Sequence, residues 1–163
     1  MEIIKMTADH WPEVRTIYEQ GIASGHATFQ TSAPGWEEWD RSHLEACRLI
    51  MIDNSVVLGW CALTPVSSRS VYAGVAEVSV YVSPDAQGKG IGNRLLQALV
   101  KISEQHGIWT LQASIFPENK GSLKIHHHAG FRIVGVRERI GKMNGVWRDT
   151  ILLEKRSASV GTQ

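Results

Sequence analysis

The sequence predicts one globular domain of the mixed α/β or α+β class. Its 163 residues suit a single domain with a substantial core. Hydrophobic residues make up 43% of the chain and charged residues 20%, which is typical of a folded protein and not of a disordered one. Runs that alternate apolar and polar residues are interspersed with stretches of helical spacing, and this mixture predicts both strands and helices.

The first part of the chain is predicted to contain one strand and two helices. Residues 2–6 are short and β-like. A helix with an apolar stripe follows to about Ala23, and Pro12 lies near its first turn, where proline is tolerated. Residues 24–35 are polar and predict a loop that carries Phe29. The helical spacing of four further residues predicts a second helix: Trp36, Trp39, His43 and Cys47.

The next section predicts a hairpin and a central strand. Residues 49–53 and 56–64 are predicted to pair as an antiparallel hairpin that turns at residues 54–55. A loop over residues 65–71 leads into the strand 77–82. Valines alternate with other residues along this strand, so the two sets are expected to face opposite sides of a sheet.

A glycine-rich loop and a helix follow the central strand at once. Pro84 cannot donate a ladder hydrogen bond and marks the end of the strand. Gly88, Gly90 and Gly92 open an amphipathic helix, which Gly107 is placed to end. Glycine allows a ligand to approach the backbone closely, and the first helical turn has free N–H groups at the positive end of its dipole. This arrangement favours a phosphate-binding site.

The remaining elements complete a predicted order of βααβββαβαββ. Residues 108–116 form a strand and residues 119–129 a short helix. Residues 131–139 and 147–153 form the last two strands, and Asn-Gly at residues 144–145 is a strong turn signal between them.

The glycine spacing excludes two common nucleotide motifs. A dinucleotide-binding loop needs a third glycine, but Asn93 and Leu95 occupy the two candidate positions. A Walker A loop needs serine or threonine after Gly-Lys, where this chain has Gly90. What remains is Gln87-x-x-Gly-x-Gly after a strand. This pattern resembles the pyrophosphate loop of the GNAT superfamily of N-acetyltransferases, which bind acetyl-CoA.

Composition argues against several other classes. The formal net charge is +1 without a basic run, so neither nucleic acid nor an anionic membrane is an expected partner. Cys47 and Cys61 lack the spacing of a metal site or a disulfide framework, which favours a reducing cytoplasm. No signal core or membrane-length apolar run is found. The adjacent histidines 126–128 would point in different directions on a helix, so no metal site is predicted.

Within the superfamily, the chain resembles the phosphinothricin N-acetyltransferase branch, which also acylates methionine sulfone and methionine sulfoximine. The matching stretches are spread over most of the chain: residues 26–31, Trp36 and Trp39, Arg69 and Tyr72, and residues 77–82, 87–92, 119–131 and 144–149. The resemblance implies the acyl-CoA N-acyltransferase fold, a mixed, mostly antiparallel sheet flanked by helices. It also implies one domain over residues 1–156, with residues 157–163 as a flexible tail.

The resemblance implies acetyl-CoA as the co-substrate and no metal. Three strand residues would pair with the pantetheine arm through their backbone: Val80, Tyr81 and Val82. Seven residues would hold the pyrophosphate through their amides: Gln87, Gly88, Lys89, Gly90, Ile91, Gly92 and Asn93. Asn119 would touch the pantetheine arm. Glu77 would act as the base through a water molecule, and His126 occupies the place of a general acid, where it either transfers a proton or positions the thioester.

The implied reaction is direct acetyl transfer to the α-amino group of a small amino-acid analogue. Candidate acceptors are phosphinothricin, methionine sulfoximine, methionine sulfone and arsinothricin. Arg69 would bind the acceptor's carboxylate or phosphinate with its guanidinium fork. The other residues implied for the acceptor pocket are Phe29, Tyr72, Glu77, Val78 and Ser79. The alternatives are a solvated charge for Arg69, plain packing for Phe29 and Tyr72, and a structural carboxylate paired with an arginine for Glu77.

Two other functions stay open on the residues alone. A non-catalytic acetyl-CoA sensor would keep the glycine loop, and an acetyltransferase could instead use a polyamine, an aminoglycoside or a protein N-terminus. Retention of both Glu77 and His126 favours the enzyme, and Arg69 in a loop without carboxylates favours an anionic acceptor. Detoxification or resistance would suit such acceptors. The resemblance also implies a homodimer, for which the candidate interface residues are Trp36, Trp39 and Trp147.

Overall fold

A seven-stranded sheet with helices on both faces forms the framework of the protein. The structure is a computed structural model that describes residues 1–163. In chain order the elements are β1 (Glu2–Lys5), α1 (Trp11–Ala23), α2 (Trp36–Ser42), β2 (Leu49–Asp53), β3 (Val56–Pro65), β4 (Val75–Val82), α3 (Ile91–Gln105), β5 (Thr110–Ile115), α4 (Lys120–His128), β6 (Arg132–Met143) and β7 (Val146–Arg156). The predicted order βααβββαβαββ is confirmed.

The sheet has the strand order β1-β2-β3-β4-β5-β7-β6 and is antiparallel at every pair except β4 and β5. The parallel pair is short, running from Val75 opposite Thr110 to Glu77 opposite Gln112. β4 nevertheless goes on pairing with β3 as far as Val82. The two central strands therefore separate beyond Glu77 and leave an opening in the middle of the sheet. The predicted mixed, mostly antiparallel sheet is confirmed.

Two apolar cores lie on the two faces of the sheet. In the larger one, the fully buried side chains of Leu95, Leu96 and Leu99 pack α3 against the strands. In the smaller one, α1 and α2 cover the other face, and Trp39 and Trp60 are fully buried. Successive strand residues alternate between these cores, as the two-residue period of a strand requires. None of the four α-helices combines the length and the apolar character needed to cross a bilayer.

Both predicted hairpin turns are confirmed. Asn54 and Ser55 have φ angles of 48° and 67°, and Asn144 and Gly145 have φ angles of 51° and 79°. A two-residue turn with positive φ at both positions matches the right-handed twist of the flanking strands. Asparagine and glycine tolerate this conformation better than most residues, which explains the strong signal of the second turn.

The second helix is shorter than predicted. α2 ends at Ser42, His43 has an extended backbone with φ −108° and ψ 146°, and Cys47 lies outside the helix with φ 68°. The buried guanidinium of Arg48 explains this end, because it donates to the backbone oxygens of Asp40, His43 and Leu44. Arg48 thus satisfies carbonyl groups that a further helical turn would otherwise bind.

The last strands are longer than predicted, and contacts reach into the residues that follow them. β6 continues to Met143. Ser157 is buried, and its hydroxyl donates to Glu104 Oε1 at 2.8 Å. The guanidinium of Arg156 donates to the carbonyl oxygens of Val160 and Gly161. The domain boundaries and the flexibility of residues 157–163 stay predictions.

Candidate functional site

The separation of β4 and β5 opens a cleft of about 520 Å³ in the centre of the molecule. Its lining comes from a loop, four strands, the segment after β5 and one helix: residues 27–31, 77–81 and 113–116, with Asn119, Ser122, His126, Arg137, Ile140 and Thr150. Glu77 and Arg137 are the only residues of this lining that carry a formal charge at neutral pH. The cleft therefore offers one carboxylate and one guanidinium to a ligand.

Glu77 lies at the point where the two central strands separate. It is the last β4 residue paired with β5, its side chain is partly buried, and it lines the cleft. Gln112 Nε2 donates a hydrogen bond to Glu77 Oε1 at 3.1 Å. None of the five ion pairs in the chain involves Glu77, so the alternative of an arginine-paired structural carboxylate has no support. The chain holds one carboxylate oxygen and leaves the other for a ligand or water.

His126 is a buried, neutral imidazole on the cleft. Its Nδ1 lies 2.7 Å from the carbonyl oxygen of Ser122, which only accepts, so Nδ1 carries the proton. Burial lowers the pKa of His126, against the opposing effect of that bond. The unprotonated Nε2 is buried without a partner in the chain. The neighbouring His127 and His128 are exposed.

The glycine loop before α3 presents a row of free amide groups. Gly88 and Gly90 have φ angles of 79° and 74°, in the region that only glycine adopts readily. The first backbone hydrogen bond of the helix runs from the Arg94 N–H to the Gly90 oxygen, and the N–H groups of residues 88–93 have no backbone partner. Together with the positive end of the helix dipole, these donors form a site with the chemistry that a phosphate group requires.

The predicted pantetheine strand has one free edge. The backbone of Val80, Tyr81 and Val82 pairs with β3 but has no strand partner on the side of β5. The Tyr81 ring stacks on Trp60 with a centroid distance of 4.9 Å, and burial raises the pKa of its hydroxyl. An anchored strand with unpaired backbone groups is suited to bind an extended ligand as an additional strand.

Asn119 ties the loop before α2 to the start of α4. Its Oδ1 accepts a hydrogen bond from the Ser122 N–H at 3.2 Å, which caps α4. Its Nδ2 donates to the carbonyl oxygen of His26 at 3.2 Å. Asn119 lines the cleft as expected of a ligand contact, although both ends of its amide already bind the chain.

Arg148 fastens the same loop from the other side. Its guanidinium donates to the Gly25 oxygen at 2.9 Å, lies 3.0 Å from His26 Nδ1, and forms an ion pair with Glu118 at 3.3 Å. It also lies over the Phe116 ring, 4.0 Å from the centroid. The groups of Arg148 are thus used within the chain, and the residue holds the loop in place.

The residues predicted for the acceptor pocket separate into two groups. Three of them line the cleft with Glu77: Phe29, Val78 and Ser79. Phe29 packs edge-on against Phe116 at 4.8 Å. Arg69 and Tyr72 do not line the cleft. Both are exposed on the loop before β4, and the Arg69 guanidinium lies 5.5 Å from the Tyr72 ring centroid. A role for these two residues in acceptor binding stays a prediction.

The three tryptophans predicted for an interface differ in exposure. Trp39 is fully buried and packs between Trp11 and Trp60, so its assignment to a surface is wrong. Its helical spacing marked the buried face of α2 and not an outer one. Trp36 is partly buried against Trp39, whereas the Trp147 side chain is 56% exposed.

Among the polar residues of the site that were not predicted from the sequence, three owe their positions to strand pairing: Gln112, Arg137 and Thr150. Gln112 reaches Glu77 only because β4 and β5 pair in parallel at that position. Arg137 and Thr150 lie opposite each other on β6 and β7 and line the cleft together. Their positions depend on strand register between distant segments, and no local pattern in the sequence indicates it.

Residues 9–131 of the chain match the acetyltransferase (GNAT) family. The chain is 31% identical over 159 residues to the phosphinothricin N-acetyltransferase of Alcaligenes faecalis, which covers 90% of this chain and 78% of that protein. It is also 31% identical over 106 residues to the L-methionine sulfoximine/L-methionine sulfone acetyltransferase of Salmonella typhimurium, which covers 65% of this chain and 62% of that protein.

The fold is similar to that of a GNAT-superfamily phosphinothricin acetyltransferase from Sinorhizobium meliloti, whose crystal structure contains acetyl-CoA. The TM-score is 0.88 at 24% sequence identity, over 99% of this chain and 91% of that one. At this level of identity the likeness establishes the fold.

Proposed function

This chain belongs to the acetyltransferase (GNAT) family and is an acetyltransferase, and we propose that it acetylates the α-amino group of a small amino-acid analogue. The acceptor is of the phosphinothricin, methionine sulfoximine, methionine sulfone or arsinothricin type. The observation that carries this proposal is the position of Glu77, the single carboxylate of the cleft, with one oxygen held by Gln112. The names of the two relatives support the acceptor class.

The residues present fit acetyl-CoA as the co-substrate. The free amides of residues 88–93, at the positive end of α3, suit the pyrophosphate, with Gln87 at the start of the loop. The free edge of β4 at residues 80–82 suits the amide-bearing pantetheine arm, and Asn119 lies on the cleft beside it. When bound, acetyl-CoA supplies an acetyl group that is activated as a thioester.

Glu77 accepts the proton that the acceptor's ammonium group must lose before it becomes a nucleophile. A water molecule relays this proton to the free carboxylate oxygen. The hydrogen bond from Gln112 fixes the other oxygen and so fixes the orientation of the carboxylate. A strand amide beside Tyr81 donates to the thioester oxygen, where negative charge develops during the transfer. The N–H groups of Val80 and Val82 face the open edge of β4, whereas that of Tyr81 faces β3.

His126 lines the cleft, where it positions the thioester by packing against it, and it does not act as a general acid. Its only ring proton is engaged with Ser122, and its lowered pKa keeps the ring neutral, so Nε2 offers a lone pair and not a proton. The reaction tolerates this, because a thiol has a pKa of about 8.5 and its thiolate leaves without obligatory protonation.

The enzyme forms a homodimer through the outer edge of the sheet. β6 pairs with β7 alone, and several of its apolar side chains are exposed: Ile133, Val134, Val136 and Ile140. Trp147 on β7 adds a 56% exposed indole. A long apolar edge strand is prone to pair with a second copy of the same chain. We expect Val136→Arg to shift the mass measured by analytical ultracentrifugation from dimer to monomer, whereas Val56→Arg on β3 leaves it unchanged.

The cellular role proposed here is detoxification or resistance in the cytoplasm. Cys47 and Cys61 are free and buried, and burial raises the pKa of the Cys47 thiol to about 11. Free cysteines suit a reducing compartment. Acetylation removes the positive charge of an α-amino group, so the product no longer resembles the amino acid that a toxic analogue imitates.

The experiment that tests the proposed function measures thiol release from acetyl-CoA against six amines. These are phosphinothricin, methionine sulfoximine, methionine sulfone, arsinothricin, spermidine and an aminoglycoside. We expect turnover with the amino-acid analogues only. Turnover with the two cations alone would overturn the acceptor class and leave the cofactor in place. Binding of acetyl-CoA without any turnover would favour a sensor.

A further inference from the structure

Arg137 is the one guanidinium of the cleft, and it has no ion-pair partner. None of the five ion pairs in the chain includes it, and its side chain is exposed on β6. Arg148, the other arginine nearby, is held by Gly25, His26 and Glu118. A cation that lines a cleft without an internal counter-ion is available to an anionic ligand.

A bulge in β6 begins directly after Arg137. Arg137 pairs with Thr150 and Gly141 pairs with Arg148, so residues 138–140 lie opposite Asp149 alone. Asp149 Oδ1 accepts a hydrogen bond from the Arg139 N–H at 2.7 Å, and Arg139 has a φ of 45°. Bulges of this kind change the direction of side chains beside active sites.

The bulge separates two arginines that a regular strand would place on the same face. At two-residue spacing, the side chains at positions 137 and 139 of an unbroken strand point the same way. Here Arg137 and Ile140 line the cleft, whereas Arg139 does not. Gly141 ends the bulge, and a Cβ added at this position would lie only 2.8 Å from the Phe29 ring. The bulge, the glycine and Phe29 therefore form one arrangement around Arg137.

We propose that Arg137 binds the carboxylate of the acceptor and thereby selects α-amino acids over other amines. This inference rests on the proposed function and adds to it a residue that determines specificity. In this arrangement Glu77 binds the amino group of the acceptor. The guanidinium of Arg137, which also lines the cleft, binds the acceptor's carboxylate in a bidentate, charge-assisted pair. One carboxylate and one guanidinium match the two charges of a zwitterion, whereas a polyamine would find a repulsive cation.

The test compares an acceptor with and without its carboxylate in three arginine variants. L-methionine sulfone and its carboxamide are assayed with wild type, Arg137→Gln, Arg137→Lys and the control Arg139→Gln. Arg139 is a matched control because it is an exposed arginine two residues away and lies outside the cleft. Binding of both compounds to the CoA-loaded proteins is measured by calorimetry, so that the role of Arg137 is tested even where turnover is absent.

The expected result is that wild type prefers the acid over the carboxamide by roughly ten- to a hundredfold in kcat/KM, the range of a charge-assisted hydrogen bond. Arg137→Gln loses this preference by weakening the acid alone, Arg137→Lys keeps part of it, and Arg139→Gln keeps all of it. Retention of the full preference in Arg137→Gln would overturn the inference while turnover upholds the proposed function. Absence of wild-type turnover, with acid binding still dependent on Arg137, would overturn the function and uphold the inference. If the wild type binds neither compound, the inference fails as well.

Discussion

The proposed acetyl-CoA side and the proposed acceptor side of the cleft are assembled in different ways. The acetyl-CoA side comes largely from one continuous stretch, residues 77–93, in which a strand, a glycine loop and a helix start follow each other. The acceptor side combines Phe29, Arg137 and Thr150, which lie far apart in the chain. The first side depends on local backbone conformation, and the second depends on strand register, a bulge and two loop anchors. Substitutions on the first side should therefore mainly change the affinity for acetyl-CoA, and substitutions on the second side should mainly change binding of the acceptor.

The largest effect is expected at Glu77, where the two sides meet. Glu77→Gln preserves the size of the side chain and an oxygen that can accept a hydrogen bond from Gln112. The amide cannot take up a proton, so kcat should fall by about 10²- to 10⁴-fold. Acetyl-CoA affinity, measured by calorimetry, should stay unchanged, because the amides proposed to bind its pyrophosphate lie in residues 88–93. A Glu77→Gln protein that retains most of its kcat would remove the base from the mechanism.

A smaller effect, confined to the acetyl-CoA side, is expected at Gly90. Gly90→Ala places a Cβ on a residue with φ 74°, at a cost of about 1–2 kcal/mol, which the loop relieves by leaving its binding conformation. The dissociation constant for acetyl-CoA should rise by about tenfold, whereas the KM for the acceptor changes little. Gly121→Ala in α4 is the control, since an added Cβ there meets nothing within 4 Å. Equal effects of the two substitutions would contradict a specific role of the loop.

The turnover number should respond to Gln112, whose side chain donates to Glu77 Oε1 at 3.1 Å. Gln112→Leu removes this donor and with it the fixed orientation of the carboxylate, so kcat should fall by about fivefold, the range of one hydrogen bond. The dissociation constant for acetyl-CoA, measured by calorimetry, should stay unchanged. Gln105→Leu, on an exposed residue, serves as control. An unchanged kcat in Gln112→Leu would mean that this hydrogen bond does not orient the base.

The smallest effect concerns stability and the buried imidazole of His126. Its pKa is lowered in the folded state by burial, whereas the unfolded chain takes up a proton near pH 6.5. Below that pH the unfolded state therefore binds more protons than the folded state. The contribution of His126 to the free energy of unfolding is largest above pH 6.5 and decreases as the pH falls. Urea unfolding at pH 8 and pH 5.5 should show a weaker pH dependence for His126→Leu than for wild type. The exposed neighbour provides the control, because His127→Leu should keep the wild-type dependence.

The sequence sufficed for the fold and for the glycine loop that opens α3, because these signals are local. Alternating valines, turn glycines and helix periodicity lie within a few residues of the structure that they specify. The end of α2 was missed because Arg48, six residues beyond Ser42, supplies the partners for its carbonyl groups. The helical spacing of Trp39 was correct, but periodicity alone does not distinguish a core-facing stripe from an interface.

Phe29 on the acceptor side was predicted, but Arg137 and Thr150 were not, because their positions depend on contacts between distant segments. Arg69 was selected as the only charge in a loop beside the central strand, whereas the cleft takes its cation from β6. Arg137 reaches the cleft through its pairing with Thr150, and the register shift that Asp149 stabilises directly after it turns Arg139 away. Neither the pairing nor the shift leaves a trace in a local pattern. Side chains that approach from different elements can be assigned only once the strand order is known.

The short pairing of β4 with β5 has a mechanical consequence. The sheet consists of two half-sheets that are joined directly along three residue pairs, and Glu77 and Gln112 form the last of these. If the halves swing apart to admit the large co-substrate, the displacement is greatest at the far end of β4, near the glycine loop, and smallest at this junction. Glu77, the proposed proton acceptor, would then lie at the pivot, and its geometry would be preserved while the entrance widens.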